Sequence, residues 1–112
     1  MPYPSDIERY RDARLVSYGE ENAYTDFNEM GKEFIEKSLQ PAIDFVNNNP
    51  DKTLWCGEFG TIRHAKCEWR ENWMRDMIRI LKEWDIPYCV WNYLSTPNDG
   101  NRFSLVDDDN RK

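Results

Sequence analysis

Between residues 69 and 84 the apolar side chains recur at helical spacing. Trp69, Trp73, Met77, Ile80, Leu81 and Trp84 stand at i, i+4, i+8, i+11, i+12 and i+15, which is one face of an α-helix. Arg70, Glu71, Arg75, Asp76, Arg79, Lys82 and Glu83 take the other face. Asp85 and then Pro87 end the pattern. Upstream, Phe27, Met30, Phe34 and Ile35 keep the same period, continued by Leu39, Ala42, Ile43 and Val46. Asp26 is the expected N-cap there, with Glu29 as its capping-box partner. Pro41 falls inside this run, so it predicts a kink, or the end of one helix and the start of another. Asn47-Asn48-Asn49-Pro50 stops it.

Two short apolar runs bounded by turn residues read as buried parallel strands, Thr53 to Phe59 and Pro87 to Tyr93. Proline is tolerated at the first position of the second. A loop with Pro97, Asp99 and Gly100 follows, then an extended piece from Phe103 to Val106, and Asp107-Asp108-Asp109 as a solvated turn. Residues 1 to about 25 are polar without a clear period and read as a long loop. The order is therefore helix, strand, helix, strand, an α/β unit whose crossover makes the two strands parallel neighbours. Two strands leave two open edges, and a parallel sheet needs cover on both faces. Self-association through those edges is an expected consequence.

With 112 residues the chain forms one domain at most. The formal net charge of -6 disfavours nucleic acid, which needs clustered Lys and Arg. An acidic surface suits a neutral ligand. No apolar run approaches the roughly 18 to 20 residues of a membrane span, so no membrane partner is expected. Met1-Pro2-Tyr3-Pro4 has neither the basic start nor the apolar core of a signal peptide. The three cysteines, Cys56, Cys67 and Cys89, form no CxxC pair, so no disulfide framework is expected. Cys56 and Cys89 read as small buried apolar residues.

The chemistry gathers at the strand tips. Glu58 stands between Gly57 and Phe59-Gly60 at the end of the first strand. A carboxylate there is either a nucleophile or acid/base in a shaped cavity, or a strand-end acid paired with an arginine such as Arg63. The glycines let backbone approach closely. Trp91, at the tip of the second strand, is either a platform for the apolar face of a sugar ring or a core residue. Strand alternation sets Cys56 with Glu58 and Cys89 with Trp91, so that if both sets point inward the two tips converge. His64 follows the first strand and could line a cleft. His64 and Cys67 have no second ligand pair at zinc spacing, and the triple Asp lacks the pattern of a calcium loop, so no metal is expected. No phosphate loop and no nucleophile elbow occur.

In sequence order these features resemble glycoside hydrolase family 5, the cellulase-like retaining glycosidases on a (β/α)8 barrel. The resemblance runs from about residue 28 to the end. Leu39-Gln40-Pro41-Ala42-Ile43-Asp44-Phe45 looks like the helix before the seventh strand. Leu54 to Gly60, with Gly57-Glu58-Phe59-Gly60, looks like that strand. Arg70 to Leu81 looks like the following helix, Val90-Trp91-Asn92-Tyr93 like the eighth strand, and Phe103 to Asp107 like the segment after it. Tyr3-Pro4 is similar to part of the loop after the sixth strand, which places residues 1–25 in that loop and 26–112 in the last barrel units. The resemblance implies Glu58 as nucleophile and Trp91 as the sugar-stacking tryptophan; His64, by its place after the first strand, and Tyr93, as an aromatic beside Trp91, are the further candidate substrate-binding residues. It also implies a β-linked polysaccharide as substrate, no cofactor, and an exported parent enzyme. The family's acid/base glutamate, in an Asn-Glu pair on the fourth strand, and the His-x-Tyr of the sixth strand have no counterpart in this chain. A full barrel runs to about 250 residues. The expectation is a C-terminal portion of a TIM barrel, incomplete and inactive alone. The alternative is a non-catalytic carbohydrate-binding module using Trp91 and Tyr93, or a truncated product.

Overall fold

The computed structural model describes residues 1–18, 27–96, 98–100 and 102–106. Along the chain these form β1 (Ser5–Asp6), α1 (Ile7–Tyr18), β2 (Glu29–Met30), α2 (Lys32–Ser38), α3 (Gln40–Asn48), β3 (Cys56–Phe59), α4 (Cys67–Glu83) and β4 (Tyr88–Val90). β1 and β2 pair antiparallel, and β3 and β4 pair parallel across the α4 crossover. The mixed α/β class expected from the sequence is observed.

α4 forms where its apolar period predicts. Met77, Ile80 and Leu81 are buried, and Trp69, Trp73 and Trp84 pack against the same cluster. Its end is built locally. Asp85 adopts a positive φ of 50°, the left-handed conformation that Asp tolerates better than most residues. The Ile86 N–H then reaches the Leu81 carbonyl (2.8 Å) and the Asp85 N–H reaches Lys82 (3.2 Å), which satisfies two terminal carbonyls and drives Ile86 back onto Leu81 in the core.

At Pro41 the chain ends one helix and begins the next, one of the two expected outcomes. Leu39 closes α2 and opens α3, with Pro41 in the first turn of α3, where its missing N–H costs no hydrogen bond. α3 stops at Asn48, as the Asn-Pro cluster predicts.

Several expectations are corrected. The N-terminal segment read as loop carries β1 and α1. α1 has no apolar stripe for periodicity to detect. It is held by Ile7, buried in the core, by Tyr10 edge-on to Phe34 (ring centroids 4.8 Å apart), and by the β1–β2 pairing. The helix expected from about residue 27 starts at Lys32 behind Gly31, because Glu29 and Met30 are taken by β2. Asp26, the expected cap, lies outside the described residues, as do Pro97 and the triple Asp. β3 and β4 are shorter than the apolar runs that predict them, since a strand persists only while its neighbour pairs with it.

Residues 103–106 form no ladder strand but run beside the tip of β4. Asn92 donates to Phe103 (3.4 Å), Leu105 to Asn92 (3.0 Å) and Val106 to Tyr93 (3.3 Å) through the backbone. The core joins α2, α4, β3 and the N-terminal segment through Tyr3, Ile7, Phe34, Ile35, Phe59 and Ile80.

Candidate active site

The pairing of β3 with β4 decides where Glu58 points. Cys56 is opposite Tyr88 and Phe59 is opposite Val90, three residues on along β3 against two along β4. The extra residue is a bulge, and it changes the expected alternation. Cys56 and Phe59 both turn toward the helix layer, where Phe59 meets Trp73 (6.0 Å) and Tyr88 (5.6 Å). Gly57 and Glu58 are left on the opposite face. Cys56 therefore does not share a face with Glu58, which corrects the simple two-residue reading. Bulges re-aim side chains in this way. The Cys56 thiol is half-buried, and burial pushes its pKa up. Cys89 is exposed, not buried as expected, because no described element covers its face.

Trp91 follows directly on β4. Its N–H donates to the Phe59 carbonyl (2.7 Å), so the backbones at the two tips are joined. Val90 packs toward the helices, and Trp91 emerges on the other side, 49% exposed. Glu58 and Trp91 are thus both exposed at adjoining strand tips, away from the helix layer that Phe59 and Val90 pack against, and no described element covers them. The Tyr3–Pro4 and Trp91–Asn92 peptide bonds are cis. Tyr93 is 65% exposed. His64 is exposed in the loop after β3 and donates from Nε2 to the Gly100 carbonyl (3.1 Å), a tie between the two loops at this end of the sheet.

Gly60 meets the expectation that glycine admits close backbone approach. A β-carbon there would run into the Trp91 carbonyl oxygen and come within 3.3 Å of the Phe103 ring. At Gly57 a β-carbon would meet nothing within 4 Å, so close approach is not its role.

Three features went unread in the sequence. The helical period sets Arg70 on the face opposite the apolar stripe, yet it is half-buried and reaches the Ser104 carbonyl (2.6 Å) and Thr61 Oγ1 (3.3 Å). The available signal was its place on the same i, i+4, i+7, i+11 row as Met74, Met77 and Leu81, which is an apolar ridge. Ser95 and Ser104 are buried and bonded to each other, with Ser104 Oγ accepting from the Ser95 N–H (2.8 Å). Tyr3 is buried and donates to Asp76 Oδ2 (2.7 Å). No short-range pattern marks contacts of such sequence separation.

A cleft of about 370 Å³ opens beside the β3 tip, lined by Tyr3, Ile62, Trp69, Arg70, Trp73 and Phe103. Among the described residues no cluster of His, Cys, Asp or Glu could hold a metal ion. No described helix is long and apolar enough to cross a membrane.

Comparison with known proteins finds relatives over part of the chain. No family model matches the chain. Over 64 residues, 57% of its length, the chain is 47% identical to Endoglucanase C of Acetivibrio thermocellus and equally to Endoglucanase C307 of Clostridium sp. strain F1. It spans 18% of the length of each. Among solved structures, a hyperthermophilic endo-beta-1,4-glucanase crystallised with substrate matches with a TM-score of 0.58 at 23% identity, over 69% of this chain and 23% of that one. At that identity the likeness is one of fold. The resemblance to cellulase-like enzymes is therefore found both in sequence, over the matched stretch, and in fold.

Proposed function

We propose that this chain carries the nucleophile end of a retaining, cellulase-like glycoside hydrolase of family 5. In this reading β3, α4 and β4 are the seventh strand, seventh helix and eighth strand of a (β/α)8 barrel, with α3 the helix before them. The observation that carries it is the shared exposure of Glu58 and Trp91 at adjoining strand tips, in a chain 47% identical to endoglucanases over 64 residues. A parallel pair joined by a packed crossover helix is the repeating unit of such a barrel, and catalytic groups sit at the C-terminal ends of its strands. The bare face and edges of β3–β4 are then the surfaces that further parallel strands close. The Glu58 carboxylate faces the lumen once they do.

Glu58 attacks the anomeric carbon of a β-linked glucan and the glycosidic oxygen departs, leaving a glycosyl ester on Glu58. A second carboxyl about 5–5.5 Å away gives the departing oxygen its proton and then takes one from the water that cleaves the ester. Glu20, Glu21 and Glu68 do not match that position in the family. The second carboxyl comes from the remainder of the barrel, and the chain alone does not turn over polysaccharide. Trp91 offers its ring to a pyranose face. Tyr93 extends that surface, and His64 borders it.

The test is a graft. The matched 64-residue stretch replaces its counterpart in Endoglucanase C of Acetivibrio thermocellus, and sugar release from a soluble cellulose derivative is measured. Expected is retained hydrolysis that falls by about three orders of magnitude or more in Glu58→Gln, since the covalent step is then lost. A folded graft whose activity ignores Glu58→Gln overturns the assignment. Glucan binding by the ungrafted chain that survives Glu58→Gln but not Trp91→Ala would instead mark a binding module.

A further inference from the structure

We propose that Arg70 is a positioning residue that locks the loop behind Glu58 to the segment behind Trp91, an inference that rests on the glycosidase reading of those two residues. The loop leaving β3 passes through Gly60 and Thr61. The segment after β4 turns at Asn92 to Ser95 and returns through Phe103 to Leu105. Arg70, in the first turn of α4, lies between them and binds both. Its Nη2 donates to the Ser104 carbonyl at 2.6 Å and its Nε to Thr61 Oγ1 at 3.3 Å.

A chain of hydrogen bonds runs on from that contact to the residue next to Trp91. Ser104 Oγ accepts from the Ser95 N–H (2.8 Å), and Ser95 Oγ donates to Asn92 Oδ1 (3.1 Å). Asn92 is also held through its backbone, by Phe103 (3.4 Å) and Leu105 (3.0 Å). Ser95 and Ser104 are buried, so their polar groups lack water as an alternative partner. A guanidinium suits this place because it is planar and always charged and can serve two acceptors from different edges at once, whereas a lysine ammonium is a point donor. The contact between Gly60 and Trp91 depends on the same two segments. A hydrophobic side chain at position 70 would keep the helix and its packing but release the segment from Ser104 to Asn92, and with it the setting of the Trp91 ring relative to Glu58.

The experiment is amide hydrogen exchange by NMR on the full chain and its Arg70→Met, Arg70→Lys and Ser104→Ala forms, with cellohexaose titrated in parallel and read at the Trp91 indole signal. In Arg70→Met the Ser95 and Leu105 amides are expected to exchange about tenfold faster or more, with Ile80 and Leu81 unchanged, because local opening is separable from global unfolding. Arg70→Lys recovers part of that protection, and Ser104→Ala accelerates Ser95 alone. Unchanged Ser95 and Leu105 protection in Arg70→Met, or equal loosening of Ile80 and Leu81, overturns the proposal. If the exchange pattern is as expected but the original chain shows no response to cellohexaose, the clamp stands and the carbohydrate reading of the face fails.

Discussion

Gly60 and Trp91 touch through their backbones, and the contact leaves no room for a side chain on residue 60. The neighbour is a carbonyl oxygen held in the β4 tip and cannot step aside as a flexible side chain could. Gly60→Ala is therefore expected to cost about 1–3 kcal/mol, the usual range for an inserted methyl in a packed place. Gly57→Ala meets nothing within 4 Å and is expected to stay within about 1 kcal/mol of the original. Urea unfolding of the two variants side by side reads the difference.

The N-terminal segment is pinned by Tyr3 to α4. Burial, and then the hydrogen bond to Asp76, push the Tyr3 phenol well above its ordinary range. Tyr3→Phe is expected to lose about 1.5 kcal/mol or more near neutral pH, the scale of a hydrogen bond to a charged group. The sign of the pH effect follows from the raised folded value. The contribution is fully present below the ordinary tyrosine pKa of 10.0 and declines above it, because the unfolded chain ionises first. Cys56 adds a similar decline above about pH 9, its thiol being raised by burial, and Lys32, raised by its bond to Glu83, acts in the same direction at higher pH. Unfolding curves between about pH 8 and about pH 11 should show falling stability, less steep above about pH 10 in Tyr3→Phe.

Trp91→Ala should weaken cello-oligosaccharide affinity by about tenfold or more, through loss of the stacking surface. Stability should stay within about 0.5 kcal/mol, since the ring is half exposed. His64→Ala removes only the exposed tie to Gly100, and its effect on affinity is expected to stay below about threefold. Isothermal titration with cellohexaose, paired with thermal unfolding, separates the two.

Trp55 is 61% exposed at the foot of β3, beside an apolar pocket of about 180 Å³ lined by Leu39, Ala42, Ile43, Leu54, Ile80 and Leu81. Together with the edges of β3 and β4, which pair with no further strand among the described residues, this surface favours contact between copies. Sedimentation velocity is expected to show mass rising with concentration. Trp55→Lys should shift the onset to higher concentration, and an invariant monomer in both forms would remove the expectation.

α4 was legible down to its ending because its signals lie within one element: a stripe of apolar residues, then Asp85 and Pro87. The break at Pro41 and the stop at Asn48 were legible for the same reason. Glu58 and Trp91 could be singled out as strand-tip residues, since glycine flanks and short apolar runs are also local. α1 escaped because its stability comes from Phe34 and from the β2 pairing, both distant in sequence. Arg70 escaped because its partners, Thr61 and Ser104, belong to other segments.

Local pattern, then, was enough for element type, for several boundaries, for the α/β class and for the pair of residues on which the chemistry is proposed. It could not supply register. Cys56 and Glu58 alternate as if they shared a face until the β4 partner imposes one extra residue on β3, and that bulge sends Cys56 to the helices and Glu58 to the open side. Which face a side chain takes is a property of two paired strands, and neither strand carries it alone.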